Sequence, residues 1–202
     1  QRIPYTAGDL LSHSPVTRAH LGEGAMDLEG LCAAVVEESD NGAANVLLRT
    51  AGGPASVTGY VRSIGDSLTR LDRTEPALNE NLPGDPRDTT TPNAMVADVQ
   101  VVLLGTKLNP VSRERLIGWM KNCRTGLDRL RAGLPQNWSV ADKTGTGTGS
   151  GPTSAANDVA IAWPAGRPPI VIASYISGSP APLDRQSAAH AQIAQIVAAA
   201  FA

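Results

Sequence analysis

Helix-forming and strand-forming patterns occupy different parts of this 202-residue chain. Through most of the first two-thirds, apolar residues recur at helical spacing between Gly and Pro turns, as Leu28, Leu31 and Val35 do in the segment 26–38. After Gly133 the pattern changes to three short runs that contain β-branched or aromatic residues and are separated by turn residues. A helical part followed by a part with strands predicts an α+β fold.

The predicted elements divide the chain into two lobes. We expect helices over 26–38, 43–50, 54–64, 91–104, 111–122 and 184–201, and antiparallel strands over 138–143, 159–163 and 170–176. Asp27 and Ser112 are the expected caps of two helices. The last helix should cover the sheet with an apolar stripe formed by Ile193, Ile196, Val197 and Ala200. Residues 1–124 would form a helical lobe and 125–202 a sheet-and-helix lobe, within one structural unit rather than two independent domains.

A long polar loop interrupts the helical lobe. Residues 71–88 hold three prolines and few apolar residues, with no period. Loops longer than about a dozen residues are uncommon inside compact domains and are often functional. A second irregular run, between Gly145 and Asn157, is rich in Gly, Ser and Pro and predicts a flexible hairpin tip.

Composition narrows the functional classes. The formal net charge is −2, and Lys and Arg are scattered singly, which argues against nucleic-acid binding. No run approaches the roughly 18 apolar residues of a membrane span. Clustered His and Cys residues are absent from the sequence, which disfavours a zinc site. Cys32 and Cys123 could form a disulfide or remain buried thiols, and the sequence leaves both open.

Three short motifs follow one another along the chain. Ser-Asp-Asn occupies 39–41 after a predicted helix, Glu-Pro-Ala-Leu-Asn occupies 75–79 in the long loop, and Lys-Thr-Gly occupies 143–145 at the end of a predicted strand. Each has an ordinary explanation by itself: a helix-capping turn, a surface carboxylate and a solvated strand end. Their joint occurrence, in this order and in these contexts, is far less expected by chance.

Ser-Asp-Asn and Lys-Thr-Gly belong to the known motif set of class A β-lactamases and penicillin-binding proteins. Further runs also look like class A sequence: Ser-Pro-Val-Thr at 14–17, Asn-Gly-Ala-Ala-Asn at 41–45, Gly-Asp-Pro-Arg-Asp-Thr-Thr-Thr-Pro at 84–92 and Asn-Asp at 157–158. The chain therefore resembles a class A serine β-lactamase over essentially all of its residues. The resemblance implies the α+β fold that class A β-lactamases share with penicillin-binding proteins.

The resemblance also implies an activity. Enzymes of this kind hydrolyse the β-lactam amide of penicillins and cephalosporins through a serine acyl-enzyme. The partner would be a small β-lactam molecule, with no metal and no organic cofactor. The family implies a bacterial antibiotic-resistance enzyme, periplasmic or secreted, and we expect the complete enzyme to be monomeric.

Catalytic roles are implied for Ser39, Glu75, Asn79 and Lys143. Ser39 would relay a proton to the departing lactam nitrogen, and Lys143 would place positive charge beside Ser39 and the substrate carboxylate. Glu75, with Asn79 as a second clamp, would hold and deprotonate the water that hydrolyses the acyl-enzyme.

The resemblance implies substrate contacts for Asn41, Thr144, Gly145, Thr146, Arg129 and His13. Asn41 would bond the amide carbonyl of the substrate side chain. The hydroxyls of Thr144 and Thr146 would donate to the substrate carboxylate, and the N–H of Thr146 would form half of the oxyanion hole. Arg129 is the available second cation near that carboxylate, although a structural ion pair is an equally open interpretation.

The resemblance implies that three further residues, Arg73, Pro76 and Asp88, shape the loop, and that His13 lies at the rim of the pocket. Arg73 and Asp88 would pair across the neck of the loop and keep Glu75 in place. The peptide bond before Pro76 would be cis. His13 matches the gate residue at the pocket rim of the family, although a plain surface histidine is the commoner explanation.

One family motif has no counterpart in this sequence. The class A nucleophile lies in Ser-x-x-Lys, and Ser does not stand three positions before any of the three lysines, Lys107, Lys121 and Lys143. We therefore expect the nucleophile to lie outside this chain, on an N-terminal segment of the same or a separate polypeptide. The chain alone would then be inactive.

Two alternatives stay open. A penicillin-binding DD-peptidase shares Ser-Asp-Asn and Lys-Thr-Gly, but Glu75 with Asn79 argues against it, because those enzymes lack this water-holding loop. The second alternative is a catalytically inert fragment that only complements or binds a partner segment.

Overall fold

The computed structural model describes residues 1–147 and 155–201, and packing divides the chain into two compact units. The first unit comprises Gln1–Leu78 with Arg87–Thr89, and the second comprises Asn79–Pro86 with Thr90–Ala202. The expected lobes, 1–124 and 125–202, were defined by element type rather than packing, so that division stays a prediction. The expected hairpin tip falls largely on residues 148–154, which lie outside the described residues.

Helices combine with antiparallel sheets in the described residues, so the predicted α+β class is confirmed, although the helical first part also holds a two-stranded ribbon that the sequence did not predict. The first unit contains β1 (Arg2–Pro4), α1 (Pro15–Ala19), β2 (Ala25–Asp27), α2 (Leu28–Glu38), α3 (Asn41–Ala51) and α4 (Pro54–Ser63). The second unit contains α5 (Pro92–Val99), α6 (Pro110–Lys121), α7 (Leu130–Gly133), β3 (Ser139–Gly147), β4 (Ala155–Trp163), β5 (Ile170–Ser177) and α8 (Leu183–Ala200). Short 3₁₀ turns span Ala7–Asp9, Leu21–Glu23 and Ala77–Asn79, and a π-helical turn, Gln100–Leu104, follows α5 directly.

Capping side chains fix the helix boundaries of the first unit. Asp27 caps α2 as expected, because its Oδ1 accepts a hydrogen bond from the N–H of Gly30 at 2.6 Å. α3 ends at Gly52, whose φ of 99° suits glycine. The antiparallel β1–β2 ribbon and α2 and α3 enclose a core formed by Ile3, Tyr5, Met26, Leu31, Ala34, Ala43 and Val46.

The second unit is built on one antiparallel sheet in the order β3-β4-β5, which confirms the three expected strands. β3 continues four residues beyond its expected end at Lys143, through Lys-Thr-Gly-Thr-Gly. Gly145 and Gly147 have weak strand preference, but the two threonines beside them favour strands and pairing with β4 continues through Gly147. A core of Leu, Ile, Val and Ala side chains lies between the sheet, α7 and α8, formed by Leu130, Leu134, Val140, Ala160, Ala162, Ile172, Ala194 and Ala198.

The expected cap of α6 is wrong. Asn109 occupies the cap position, and its Oδ1 accepts a hydrogen bond from the N–H of Ser112 at 2.9 Å. Both residue types are good caps. Pro110 settles the choice, because proline is favoured in the first turn of a helix, and α6 therefore begins earlier than the apolar pattern indicated.

The last helix turns a different face to the sheet from the one expected. Its buried residues are Gln186, Ser187, His190, Ala194 and Ala198. Val197 of the predicted stripe packs against the core, but Ile193 and Ile196 are 39% and 71% exposed, so the stripe is wrong. Close approach of α7 explains the small side chains, because a Cβ on Gly133 would lie 1.9 Å from the carbonyl oxygen of Ala191.

Cys32 and Cys123 are both free, which settles the choice that the sequence left open. Burial raises the pKa of the Cys32 thiol. None of the helices in the described parts of the chain combines the length and hydrophobicity that crossing a membrane requires.

His190 is fully buried on α8 and neutral in the folded protein. Its Nε2 donates to the carbonyl oxygen of Ala156 at 3.0 Å, and its Nδ1 then accepts from the hydroxyl of Ser174 at 2.7 Å. Burial lowers the pKa of His190 below its usual 6.5. Because burial disfavours the charged ring, protonation of His190 opposes folding.

We expect His190 to make the free energy of unfolding fall as the pH falls below about 6.5, because the unfolded chain then binds a proton that the folded chain excludes. The stability is fully present above that pH. Urea unfolding between about pH 5 and 7 should give a shallower pH dependence for His190→Gln than for the unaltered chain. His20→Gln is the control at an exposed position, where loss of the ion pair with Glu23 should change the slope less than His190→Gln does. Parallel curves for the unaltered chain and His190→Gln would refute the assignment.

Candidate active site

The Ser-Asp-Asn turn lies between α2 and α3 in the first unit. Ser39 ends α2 in the left-handed region with φ 56°, a conformation that is uncommon for serine and typical of strained functional positions. Asp40 is fully buried and caps α3, and its Oδ2 accepts from the N–H groups of Val16 and Thr17 at 2.9 and 2.8 Å. Asp40 therefore fixes the direction in which Ser39 and Asn41 leave the backbone.

His13 lies beside the Ser-Asp-Asn turn. Its carbonyl oxygen accepts from the N–H of Asn41 at 2.9 Å, and its Nε2 donates to the carbonyl oxygen of Glu38 at 2.9 Å. These bonds hold the exposed imidazole next to the Ser39–Asn41 turn.

The side chain of Asn45 holds the backbone of Glu75. Asn45 Oδ1 accepts from the N–H of Glu75 at 2.9 Å, and Asn45 Nδ2 donates to the carbonyl oxygen of Glu75 at 2.9 Å. Two bonds from one amide fix the position and the direction of this peptide unit. The Glu75–Pro76 bond is cis, as the resemblance implied.

Arg73 and Asp88 form the ion pair expected across the loop. Arg73 Nε donates to Asp88 Oδ2 at 2.5 Å, and the Asp88 side chain is 3% exposed. Asp88 Oδ1 also accepts from the N–H groups of Asp72 and Arg73 at 2.7 and 2.9 Å. Arg70 pairs with Asp72 and holds the pKa of that carboxyl at about 2. The two ends of the loop in the first unit are thus joined by charge-assisted bonds.

Lys-Thr-Gly lies on β3 in the second unit. Lys143 is half-buried, its Nζ donates to the carbonyl oxygen of Thr144 at 2.8 Å, and burial lowers its pKa. In the same unit, the carbonyl oxygen of Asn79 lies against Gly147, where an added Cβ would come within 2.7 Å of it.

Arg129 lies 4% exposed against the same strand. Its Nη1 donates to the carbonyl oxygens of Asn157 and Gly145 at 2.7 and 3.2 Å, and its Nη2 donates to Thr146 Oγ1 at 2.7 Å. The structure therefore brings Arg129 together with Gly145 and Thr146 on the strand, and its contacts are to carbonyl and hydroxyl oxygens.

Two fully buried carboxyl groups lie on the strands β3 and β4. Asp158 pairs in register with Thr144, so Asp142 is its diagonal neighbour on the same face of the sheet. Arg131 Nε donates to Asp142 Oδ1 at 2.8 Å, and Asp158 Oδ2 accepts from the N–H of Leu130 at 3.0 Å. Burial raises the pKa of both groups, that of Asp158 to about 7 with help from the charge of Asp142.

The described residues contain no group of three or more His, Cys, Asp or Glu side chains that could hold a metal ion. Of the residues for which the resemblance implies a role, Ser39 and Glu75 belong to the first unit, and Lys143, Thr144, Thr146 and Arg129 belong to the second.

The family described as "Beta-lactamase enzyme family" matches residues 1–201. The chain belongs to this β-lactamase family. Beta-lactamase L2 of Stenotrophomonas maltophilia is 46% identical over 196 residues, which are 96% of this chain and 63% of L2. Beta-lactamase CTX-M-8 of Citrobacter amalonaticus is 44% identical over 177 residues, 88% of this chain and 59% of CTX-M-8. The chain thus spans about three-fifths of the length of these curated relatives.

Solved β-lactamases share the fold of this β-lactamase-family chain. An ancestral class A β-lactamase of Gram-negative bacteria superposes with a TM-score of 0.94 at 50% identity, covering 100% of this chain and 75% of that one. A β-lactamase of Xanthomonas campestris gives a TM-score of 0.93 at 45% identity, covering 100% and 74%. The resemblance to class A β-lactamases and the fold that it implied are confirmed.

Several residues of this β-lactamase-family chain hold other residues in position but were not recognised from the sequence. Asn45 was passed over, although it follows Asn41 by four positions and so shares its face of α3. Asp40 was recognised as part of the Ser-Asp-Asn motif but was given no role of its own. Asp158 was quoted as part of the Asn-Asp run at 157–158 but was given no role, and Asp142 gave no signal, because a single acidic residue in a strand cannot be distinguished from an exposed one before the pairing is known.

Proposed function

We propose that this chain forms the larger part of a serine β-lactamase, whose nucleophile is supplied by residues beyond the 202 of this sequence. The observation that carries the proposal is that Asn45 bonds both backbone groups of Glu75, since these bonds fix the peptide unit of an acidic residue in a loop where a penicillin binder needs none. Membership of the β-lactamase family supports it. The absence of Ser-x-x-Lys from the sequence motivates the external nucleophile.

The reaction divides into acylation and hydrolysis. A serine oxygen attacks the lactam carbonyl, the carbon–nitrogen bond breaks, and the proton lost by that serine hydroxyl reaches the nitrogen by relay through the hydroxyl of Ser39. Lys143, Thr144, Thr146 and Arg129 hold the substrate carboxylate. The N–H of Thr146 stabilises the oxyanion.

Hydrolysis and substrate orientation use the remaining residues. Glu75, with Asn79, takes a proton from the water that attacks the ester and frees the serine. Asn41 orients the substrate side chain, and His13 borders the pocket. No cofactor takes part. The relatives are bacterial proteins, and we place the complete monomeric enzyme in the periplasm or outside the cell.

Two measurements on the purified chain test this proposal. Intact mass before and after exposure to benzylpenicillin should show 20.9 kDa and no adduct, and a chromogenic cephalosporin should remain unhydrolysed. Addition of the Ser-x-x-Lys segment of the ancestral class A enzyme should restore turnover. Turnover by the chain alone would overturn the external nucleophile.

The completed protein separates the alternatives. A stable penicillin adduct without hydrolysis would identify a DD-peptidase-like protein instead of a β-lactamase. Folding with the added segment but no adduct at all would identify an inert fragment.

A further inference from the structure

A turn that the proposed mechanism does not use holds the hydroxyl of Thr144. Thr125 Oγ1 lies 2.7 Å from Thr144 Oγ1, the usual distance for a hydrogen bond between hydroxyls. The thiol of buried Cys123 donates to the carbonyl oxygen of Thr125 at 3.5 Å and lies 3.3 Å from its Oγ1. One row of polar atoms therefore runs from Cys123 through Thr125 to Thr144.

Gly126 makes this close approach sterically feasible. A Cβ at this position would lie 2.1 Å from Thr144 Cγ2, and the φ of Gly126 is 79°, which strains other residues. The methyl group of Thr144 thus packs on a bare backbone while its hydroxyl bonds Thr125. Both substituents on the Thr144 Cβ are fixed, which selects one χ1 rotamer.

The number of donors and acceptors around the Thr144 hydroxyl determines the direction in which it donates its hydrogen. A Thr hydroxyl has one hydrogen to donate and two lone pairs to accept with. If Thr144 donates its hydrogen to an anion, its oxygen is free to accept from Thr125, and the two bonds strengthen each other. The hydroxyl of Thr146 can also donate its hydrogen to an anion. Arg129 can only donate, and it already fills one acceptor position of the Thr146 hydroxyl.

We infer that Thr125 is a positioning residue: it donates to Thr144 and turns the hydrogen of the Thr144 hydroxyl towards the carboxylate of the bound β-lactam. The identity of that ligand rests on the proposed function. The fixed rotamer of Thr144 does not, because it follows from Thr125 and Gly126 alone. Thr125 acts only through Thr144 and does not touch the substrate.

Two variants of the full chain test the inference. Thr125→Val keeps the shape of the side chain and removes its hydroxyl, and Thr125→Ser keeps the hydroxyl. NMR titration with benzylpenicillin, followed on the backbone amides of residues 144–146, gives the Kd, and benzylpenicillin methyl ester is the ligand without a carboxylate. Three-bond couplings to the Thr144 methyl group report its χ1 rotamer.

Thr125→Val should weaken benzylpenicillin binding by about three- to tenfold, the range of one hydrogen bond, and leave ester binding unchanged. It should also average the Thr144 couplings, and Thr125→Ser should restore both values. An equal loss for acid and ester, or unchanged couplings, would overturn the inference. If Thr125→Val does not fold, Gly126→Ala displaces Thr144 from its other side and must change the same couplings.

Failure of the proposed function gives a different result. If the unaltered chain binds neither benzylpenicillin nor its ester, the β-lactam assignment fails, and the couplings alone decide the positioning role. A single Thr144 rotamer in the unaltered chain that is averaged in Thr125→Val supports that role. The same couplings in both proteins contradict it.

Discussion

Replacement of Glu75 by Gln, in the chain completed with a Ser-x-x-Lys segment, is expected to slow release of the acyl group by about 10²–10⁴-fold. Gln cannot take a proton from the attacking water, whereas acylation does not require the Glu75 carboxylate in the proposed mechanism. The substitution should therefore convert a transient penicillin adduct into a persistent one. Intact mass at timed intervals after mixing measures its lifetime.

The contacts of Asn45 make Glu75→Gln a clean substitution. Asn45 bonds the backbone N–H and carbonyl of Glu75, and neither of these two bonds involves the side chain that Glu75→Gln alters. Glu80→Gln, an exposed carboxylate of the same loop, is the matched control and should leave adduct lifetime unchanged. Equal lifetimes for Glu75→Gln and the unaltered protein would remove Glu75 from the hydrolytic step. Asn45→Ala should lengthen the lifetime too, because the peptide that carries Glu75 loses both bonds.

Local patterns predicted the parts of this structure that depend on neighbours in sequence. Asp27 was recognised as a cap because the cap and the amide it binds are three residues apart. The orientation of α8 could not be recognised in this way. Apolar spacing favoured Ile193 and Ile196, whereas the packed face is set by the approach of Gly133 on α7, some sixty positions earlier in the chain.

The same distinction applies to the candidate site. The resemblance supplied Glu75, Lys143 and the cis bond before Pro76, since these belong to motifs. The contact between Thr125 and Thr144 could not be predicted, because it joins a turn to a strand and depends on the missing side chain at Gly126. Motifs supplied the candidate reacting residues and the Arg73–Asp88 pair, whereas the contact from Thr125 to Thr144 emerges from the packing.

Substitution of the buried carboxyl groups Asp142 and Asp158 gives the second large expected effect, a change in the unfolding free energy. The two substitutions should change it in opposite directions. Asp142→Asn weakens the bonds from Arg131, whose side chain is 25% exposed, and leaves that cation without its counter-ion. Loss of the charge-assisted bonds from Arg131 lowers the unfolding free energy by about 1–3 kcal/mol, less the part regained because burial already disfavours the Asp142 charge. Urea unfolding at pH 8 measures the loss.

Asp158→Asn should instead stabilise the protein at pH 8. The pKa of Asp158 is about 7 in the folded protein and 3.8 in the unfolded chain, so the unfolded chain releases its proton first as the pH rises. The unfolding free energy therefore falls between these two values, by up to about 4 kcal/mol at roughly 1.4 kcal/mol per pKa unit. Asn cannot ionise, and its oxygen can still accept from the N–H of Leu130.

The pH dependence distinguishes this mechanism from a general packing effect. Within the described residues, Asp158 Oδ1 and Asp142 Oδ2 are buried without hydrogen-bond partners, and the amide introduced by Asp158→Asn would offer a donor where the carboxylate carries a charge. The gain from Asp158→Asn should be largest above pH 7 and shrink towards pH 4, because Asp158 is then protonated in the folded protein and increasingly so in the unfolded chain. Asp158→Ala, which removes the acceptor for Leu130, is the control and should gain less at every pH. A gain that does not change with pH would show that ionisation of Asp158 plays no part.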